Sequence, residues 1–206
     1  ADTAVTVNYD PQYDSLVQTA EDALQNAMSM IKVGVNAKDI GRAIQKTITD
    51  MGFKPIANLS GHSLDQYTIH AGKTVPNTWT ISSFSFSDNE AFACEPFVTT
   101  KNGLGYVRNG KIKNIYALVA RKKTKDKEAD RLLEYIWNNF NMLPFALRWL
   151  VKEWEEKEAR ELLDFLVKKK AVHAYAILVE ANGQRVSQAE HTFIPTQTGV
   201  TVTTVG

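Results

Sequence analysis

One histidine and three carboxylates carry the chemical interest of this chain. They are His62, in Asn58-Leu59-Ser60-Gly61-His62; Glu95, in Ala91-Phe92-Ala93-Cys94-Glu95-Pro96-Phe97; Glu190, in Gln188-Ala189-Glu190-His191-Thr192; and Asp2, at the second position. An imidazole with several carboxylates is the ligand chemistry of a divalent cation that activates water. No single one is telling, since a lone histidine is more often a hydrogen-bonded structural residue. A carboxylate in a strand as apolar as the one around Glu95 is costly to bury unless it is paired, hydrogen-bonded or bound to a cation. Glu190, beside His191 in another strand-like run, raises the same question. Alternation turns Cys94 to the face opposite Glu95, where it reads as a buried, inert thiol. His70, in Ile69-His70-Ala71-Gly72-Lys73, follows His62 by eight residues. On one continuous strand that is roughly 26 Å, so the two share a site only if Leu64-Asp65-Gln66 forms a turn.

The elements that must position these groups can be read from periodicity. Ala1 to Asn8 alternates as a strand and is ended by Tyr9-Asp10-Pro11. Leu16, Ala20, Ala23, Ala27 and Ile31 keep helical spacing from Tyr13 onward, with Gly34 as the stop. Asn36 and Asp39 resemble the start of a second helix, with Ile40, Ile44, Ile48 and Met51 on one face. From residue 53 to 107 the pattern turns strand-like, in Tyr67 to His70, Trp79 to Phe86 and Ala91 to Val98, with Gly103, Gly105 and Gly110 as hairpin turns. Two helices followed by strands predict an α+β fold.

A helical stretch then interrupts the strands, at about residues 118–172. Ala129, Leu132, Leu133, Ile136 and Phe140 give one amphipathic helix, Phe145 to Trp154 another, and Ala159, Leu162, Leu163, Leu166 and Val167 a third. Strand patterns resume at Tyr175 to Val179, Arg185 to Phe193 and Val200 to Val205. Arg121, Lys122, Lys123 and Lys125 could meet RNA phosphates. Beside Asp126, Glu128 and Asp130, however, the run reads first as a solvated helix start. Trp137, Trp149 and Trp154 read as packing residues, and Lys168-Lys169-Lys170 complements a helix dipole.

Bulk composition narrows the classes. With 206 residues, 44% hydrophobic and 23% charged, the chain suits one large domain, or one domain with an insertion. A net charge of +1 gives no global attraction to nucleic acid or membrane. The single cysteine excludes an intrachain disulfide and suits a reducing cytoplasm. No run approaches a membrane helix, and no signal peptide is visible. Nor is there a nucleophile elbow or a Gly-rich phosphate loop. The chain opens without Met, inside the run Thr3-Ala4-Val5-Thr6-Val7, and its N-terminus is read as truncated or processed.

Several segments, taken in order, resemble the type II methionine aminopeptidases in their archaeal style. They are Ala1 to Val7, Asn58 to His62, Ile69 to Pro76, Glu95-Pro96-Phe97, Leu143 to Leu150 and Glu190-His191-Thr192. The resemblance implies a pita-bread (creatinase/aminopeptidase-like) α+β fold. Residues 1–117 and 173–206 would form its catalytic domain, N-terminally truncated, and residues 118–172 a winged-helix-like insertion. It implies two divalent cations (cobalt, manganese, iron or zinc) held by Asp2, His62, Glu95 and Glu190. Glu95 would also act as general acid and base, His70 would contact the substrate amide, and Ile69, Phe97 and Tyr175 would line the methionine pocket. The family's first aspartate ligand and an upstream catalytic histidine have no counterpart in this sequence. Ala189 stands where an aromatic is usual, which bears on pocket shape. The implied activity is cytoplasmic removal of the initiator methionine from nascent chains. A ribosome contact or a separate N-terminal fragment would be further partners, and no membrane is expected. The competing reading is a non-catalytic relative that binds ribosome or RNA, or one fragment of a split enzyme.

Overall fold

In the computed structural model, which describes residues 1–205, the chain divides into two units. One is Ala1–Arg108 with the segment from Val179 onward, and the other is Asn109–Leu178. The element order is β1 (Ala4–Val5), α1 (Asp14–Met30), α2 (Ala37–Asp50), β2 (Lys54–Pro55), β3 (Ser60–Leu64), β4 (Thr74–Pro76), β5 (Ala91–Cys94), β6 (Phe97–Thr99) and β7 (Val107–Leu118). Then come α3 (Lys127–Phe140), β8 (Phe145–Ala146), α4 (Leu147–Leu150), α5 (Glu156–Lys168), β9 (Val172–Glu180), β10 (Val186–Pro195) and β11 (Val200–Val202). The fold is α+β.

In the first unit β10 is the spine of the sheet, whose order is β2-β6-β10-β5-β3-β4, with β1 and β11 also paired to β10. One strand can serve so many neighbours because its length is shared out. Val186 to Gln188 meet β6, His191 to Phe193 meet β5, and Glu190 and Ala189 meet β1. α1 and α2 cover the opposite face. Ile40, Ile44 and Ile48 recur at i, i+4 and i+8 and are wholly buried, each contributing roughly 1.5–3 kcal/mol relative to exposure. The Asn36 side chain caps α2 by accepting the Lys38 N–H. Cys94 lies in this core beside Phe92, Val98 and Phe193, as the alternation predicted, and burial pushes its thiol pKa up. Among the described residues no helix is long and apolar enough to cross a membrane.

Several expected elements differ. The first strand is only Ala4–Val5 by backbone pairing, because threonine hydroxyls take over the rest of its ladder. α1 ends at Met30, and Gly34 sits in the following turn at a φ of 87°. Met51 closes α2 on its solvent side, half exposed. Tyr67 to His70 is not a strand: Asp65 and Thr68 exchange backbone hydrogen bonds around Tyr67 at a φ of 55°. Trp79 to Phe86 is a loop whose two phenylalanines plug the core, while Trp79 and Ile81 are exposed. Phe84 and Phe86 pack against Phe92, and their carbonyls accept the N–H groups of Ala37 and Gly34. Glu95-Pro96 divides Ala91 to Val98 into β5 and β6, since proline cannot donate to a ladder.

The second unit has its own core of Leu132, Ile136, Phe145, Leu150, Leu163 and Leu166, with β7, β8 and β9 as a three-stranded sheet. The middle helix is shorter than expected: Phe145–Ala146 is strand and only Leu147–Leu150 is helical. Trp154 is buried and Trp137 partly so, whereas Trp149 is exposed. Gly110 lies within β7 rather than at a turn, where a Cβ would stand 2.7 Å from Ile177 Cγ1.

Candidate metal centre

Four short segments of the first unit converge on one point. His62 is carried by β3, and the residue before it must be glycine: a Cβ at Gly61 would meet the Ala93 carbonyl oxygen at 2.1 Å. Glu95 stands in the link between β5 and β6. There the Asn77 amide donates to its carbonyl at 3.0 Å and to that of Leu59 at 3.1 Å. Glu190 projects from the middle of β10. Asp2 is clamped by Thr192, whose hydroxyl accepts the Asp2 N–H at 2.6 Å and donates to the Asp2 carbonyl at 2.7 Å. Thr3 donates to the Glu190 carbonyl and Thr6 to that of Gln188. Hydroxyls thus extend the β1–β10 pairing on both sides of its two backbone-paired residues.

One ligand atom each from Asp2, His62 and Glu190 lie within 4.8 Å of one another. His62 Nε2 is 3.3 Å from Glu95 Oε1 and 3.9 Å from Asp2 Oδ2. His62 and Glu190 are buried, Asp2 less so. The turn at Asp65–Thr68 folds the chain back, so the His70 ring stands edge-on to His62 with centroids 4.3 Å apart. This answers the question that the spacing left open. His70 is at the exposed rim and Ile69 is half-buried beside it in sequence. Phe97 is half-buried and pairs in register with Gln188. Tyr175 belongs to the second unit, on β9, where its ring is edge-on to His173. His191, despite its neighbour, binds Thr204 Oγ1 through Nδ1 at 3.0 Å.

Electrostatics decides whether these groups suit a cation. Burial, then the charges of Glu95 and Asp2, push the Glu190 carboxyl up to about 8. Burial also raises Glu95 and Asp2 repels it further, while His62 only partly offsets this. His62 is lowered by its own burial, but hydrogen bonding and charge from Glu95, the Ser63 carbonyl and Asp2 leave it raised overall. Burial, then the neighbouring His62, lower His70. Glu190 Oε1 is buried with no hydrogen-bond partner among the described residues. A buried, self-repelling acid cluster with an orphaned oxygen must be neutralised by a proton or a cation. The imidazole and carboxylate donors suit a divalent first-row metal.

Gln188 and Thr192 were not singled out by spacing alone. Their signal was the alternation Gln188, Glu190, Thr192, which places all three on one face of β10. Asn77 had no such signal.

Residues 1–116 match the model of metallopeptidase family M24. The methionine aminopeptidase of Methanocaldococcus jannaschii is 38% identical over 204 residues, covering 99% of this chain and 68% of that protein. That of Thermococcus kodakarensis is 40% identical over 205 residues, covering 99% and 69%. The chain thus spans about two thirds of the curated relatives it matches. Among solved structures, a thermophilic Arx1 superposes with a TM-score of 0.73 at 14% identity, over 97% of this chain and 62% of that one. A methionine aminopeptidase from Thermotoga maritima gives 0.61 at 19% identity, over 98% and 56%. These likenesses establish the pita-bread fold. With collinear identity along 99% of its length, the chain belongs to the methionine aminopeptidases of metallopeptidase family M24, metal-dependent hydrolases that remove an initiator methionine.

Proposed function

We propose that this chain removes the initiator methionine of nascent polypeptides in the cytoplasm, with Asp2, His62, Glu95 and Glu190 holding two divalent cations (cobalt, manganese, iron or zinc). The observation that carries the reading is the convergence of Asp2, His62 and Glu190 within 4.8 Å, with the Glu190 Oε1 atom buried and without a hydrogen-bond partner among the described residues. Bound there, the cations supply positive charge that makes a water more acidic and polarises the scissile carbonyl.

The protein's own groups do the rest. Glu95 takes a proton from the attacking water and returns it to the leaving amine, so that water divides across the broken C–N bond. His70, at the rim, hydrogen-bonds the scissile amide and supports the carbonyl oxygen as it gains charge. Ile69 and Phe97 receive the methionine side chain. The helical unit and its basic run around Arg121 are the candidate ribosome contact.

Methionine release from a Met-Ala-Ser peptide, with manganese or cobalt added, tests the reading. Glu190→Gln should abolish release. A folded wild-type chain that binds manganese and the peptide without cleaving it would reject the reading in favour of a binding module.

A further inference from the structure

Among the described residues, the Gln188 side chain hydrogen-bonds both glutamates of the centre. Its Nε2 is 3.3 Å from Glu95 Oε2 and 3.3 Å from Glu190 Oε2. Because both neighbours are acceptors, the amide must present its NH2 end to them, one N–H to each. The other oxygens are thereby assigned. Glu95 Oε1 faces His62 Nε2, and Glu190 Oε1 is left buried with no hydrogen-bond partner among the described residues.

We propose that Gln188 is a positioning residue for the metal centre, its amide spanning Glu95 and Glu190 so that each carboxylate turns its other oxygen toward the cations. The inference rests on the metalloaminopeptidase reading and deepens it. Three features support it. The Gln188 backbone is held on both sides by one hydroxyl: Thr6 Oγ1 accepts its N–H at 2.8 Å and donates to its carbonyl at 2.8 Å. The residue therefore does not drift relative to β1, which carries Asp2's segment. The two glutamates come from different parts of the sheet, the β5–β6 link and the centre of β10, and like charge drives them apart. A shared donor sets their separation. Finally, the donor is neutral. Lysine or arginine at this position would also span two carboxylates, but its charge would neutralise the acids that a cation needs. An amide orients them and leaves their charge intact.

The test uses the whole chain with manganese alone as probe. The Mn dissociation constant is measured by isothermal titration for wild type, Gln188→Leu and Gln188→Glu, alongside melting in EDTA. Leucine keeps the volume and loses both donors. Glutamate keeps the shape, loses the paired donors and adds a fourth carboxylate. Both should weaken manganese binding by roughly 10- to 100-fold, the range for partners that orient metal ligands; in EDTA Gln188→Leu should melt near wild type, while Gln188→Glu should melt lower because its added charge repels Glu95 and Glu190. Wild-type affinity in Gln188→Leu would overturn the positioning role and leave the metal centre standing. No binding by the wild type would bring down both. Failure of both variants to fold would assign Gln188 to the fold rather than to the ligands, which also overturns the inference.

Discussion

Glu180 and Glu190 are the same residue type in the same unit, 3% and 4% exposed, and their surroundings have opposite character. Glu180 is surrounded by donors. Oε1 accepts the Leu104 N–H, and Oε2 accepts those of Asn182 and Gln184 at 2.7 and 3.1 Å. Burial alone would raise its pKa, but these N–H groups and that of Gly105 outweigh it and hold the carboxyl below its ordinary range. Glu190 is surrounded by acids, has one long contact from Gln188, and is pushed up to about 8. Burial is therefore not what separates a carboxylate satisfied by the fold from one left in need of a proton or a cation. The difference lies in whether the backbone has already spent its donors on it.

The sharpest way to break the contrast is to neutralise both residues in turn. Glu190→Gln should lower manganese affinity by more than about 100-fold, beyond the cost of disturbing a ligand's support. Without metal it should melt no lower than wild type in EDTA calorimetry, since it removes a charge that repels Glu95 and Asp2. A substantial loss of melting temperature in EDTA would show that Glu190 is a structural acid like Glu180.

Thr192→Val removes the hydroxyl that serves both backbone groups of Asp2. It should weaken manganese by about 10-fold, the lower end for groups that support ligands, and destabilise by about 1–3 kcal/mol where backbone groups lose their partner. Urea unfolding and metal titration separate the two effects. Unchanged metal affinity would mean that Asp2 is held well enough by its neighbours.

Glu180→Gln should leave metal binding alone and cost about 1–3 kcal/mol, since it loses charged acceptors and turns an NH2 toward N–H donors. The pH dependence has a definite sign. Because the folded-state pKa is depressed, the stabilisation is full above the ordinary value of 4.5 and is lost as pH falls through the folded value. The gap between wild-type and variant urea midpoints should therefore close on acidification. A gap that stays constant from neutral to acid pH would remove the carboxylate's charge from the explanation.

The same contrast explains how far the chain could be read as a sequence. The helical faces were legible because burial on one side imposes a 3.6-residue period; Ile40, Ile44 and Ile48 are the case in point. The chemical residues were legible because an acid inside an apolar run is costly, and Glu95 advertised itself that way. What stayed hidden is relational. The Asp65–Thr68 turn depends on Tyr67 adopting a positive φ, which tyrosine does not announce. Trp79 to Phe86 has a strand's composition, but its Phe84 and Phe86 pack into a core that includes residues of α2 and β5. Glu180 escaped notice because its partners contribute only backbone N–H groups, and two of them, Leu104 and Gly105, lie far away in sequence.

A third carboxylate, Glu90, calibrates the small end of the scale. Lys73 Nζ reaches both of its oxygens, at 2.7 and 2.6 Å, and Ser87 Oγ donates at 2.7 Å. Chiefly the Lys73 hydrogen bond, then that of Ser87, lowers its pKa. Both partners of the ion pair are 38% exposed, however. Water competes for each charge and salt screens the pair, so its short distances do not translate into stability. Lys73→Met should cost no more than about 1 kcal/mol, and that cost should shrink in high salt as measured by urea midpoints. A larger, salt-independent cost would place Glu90 with Glu180, and local donors rather than burial would then suffice to make a carboxylate structural.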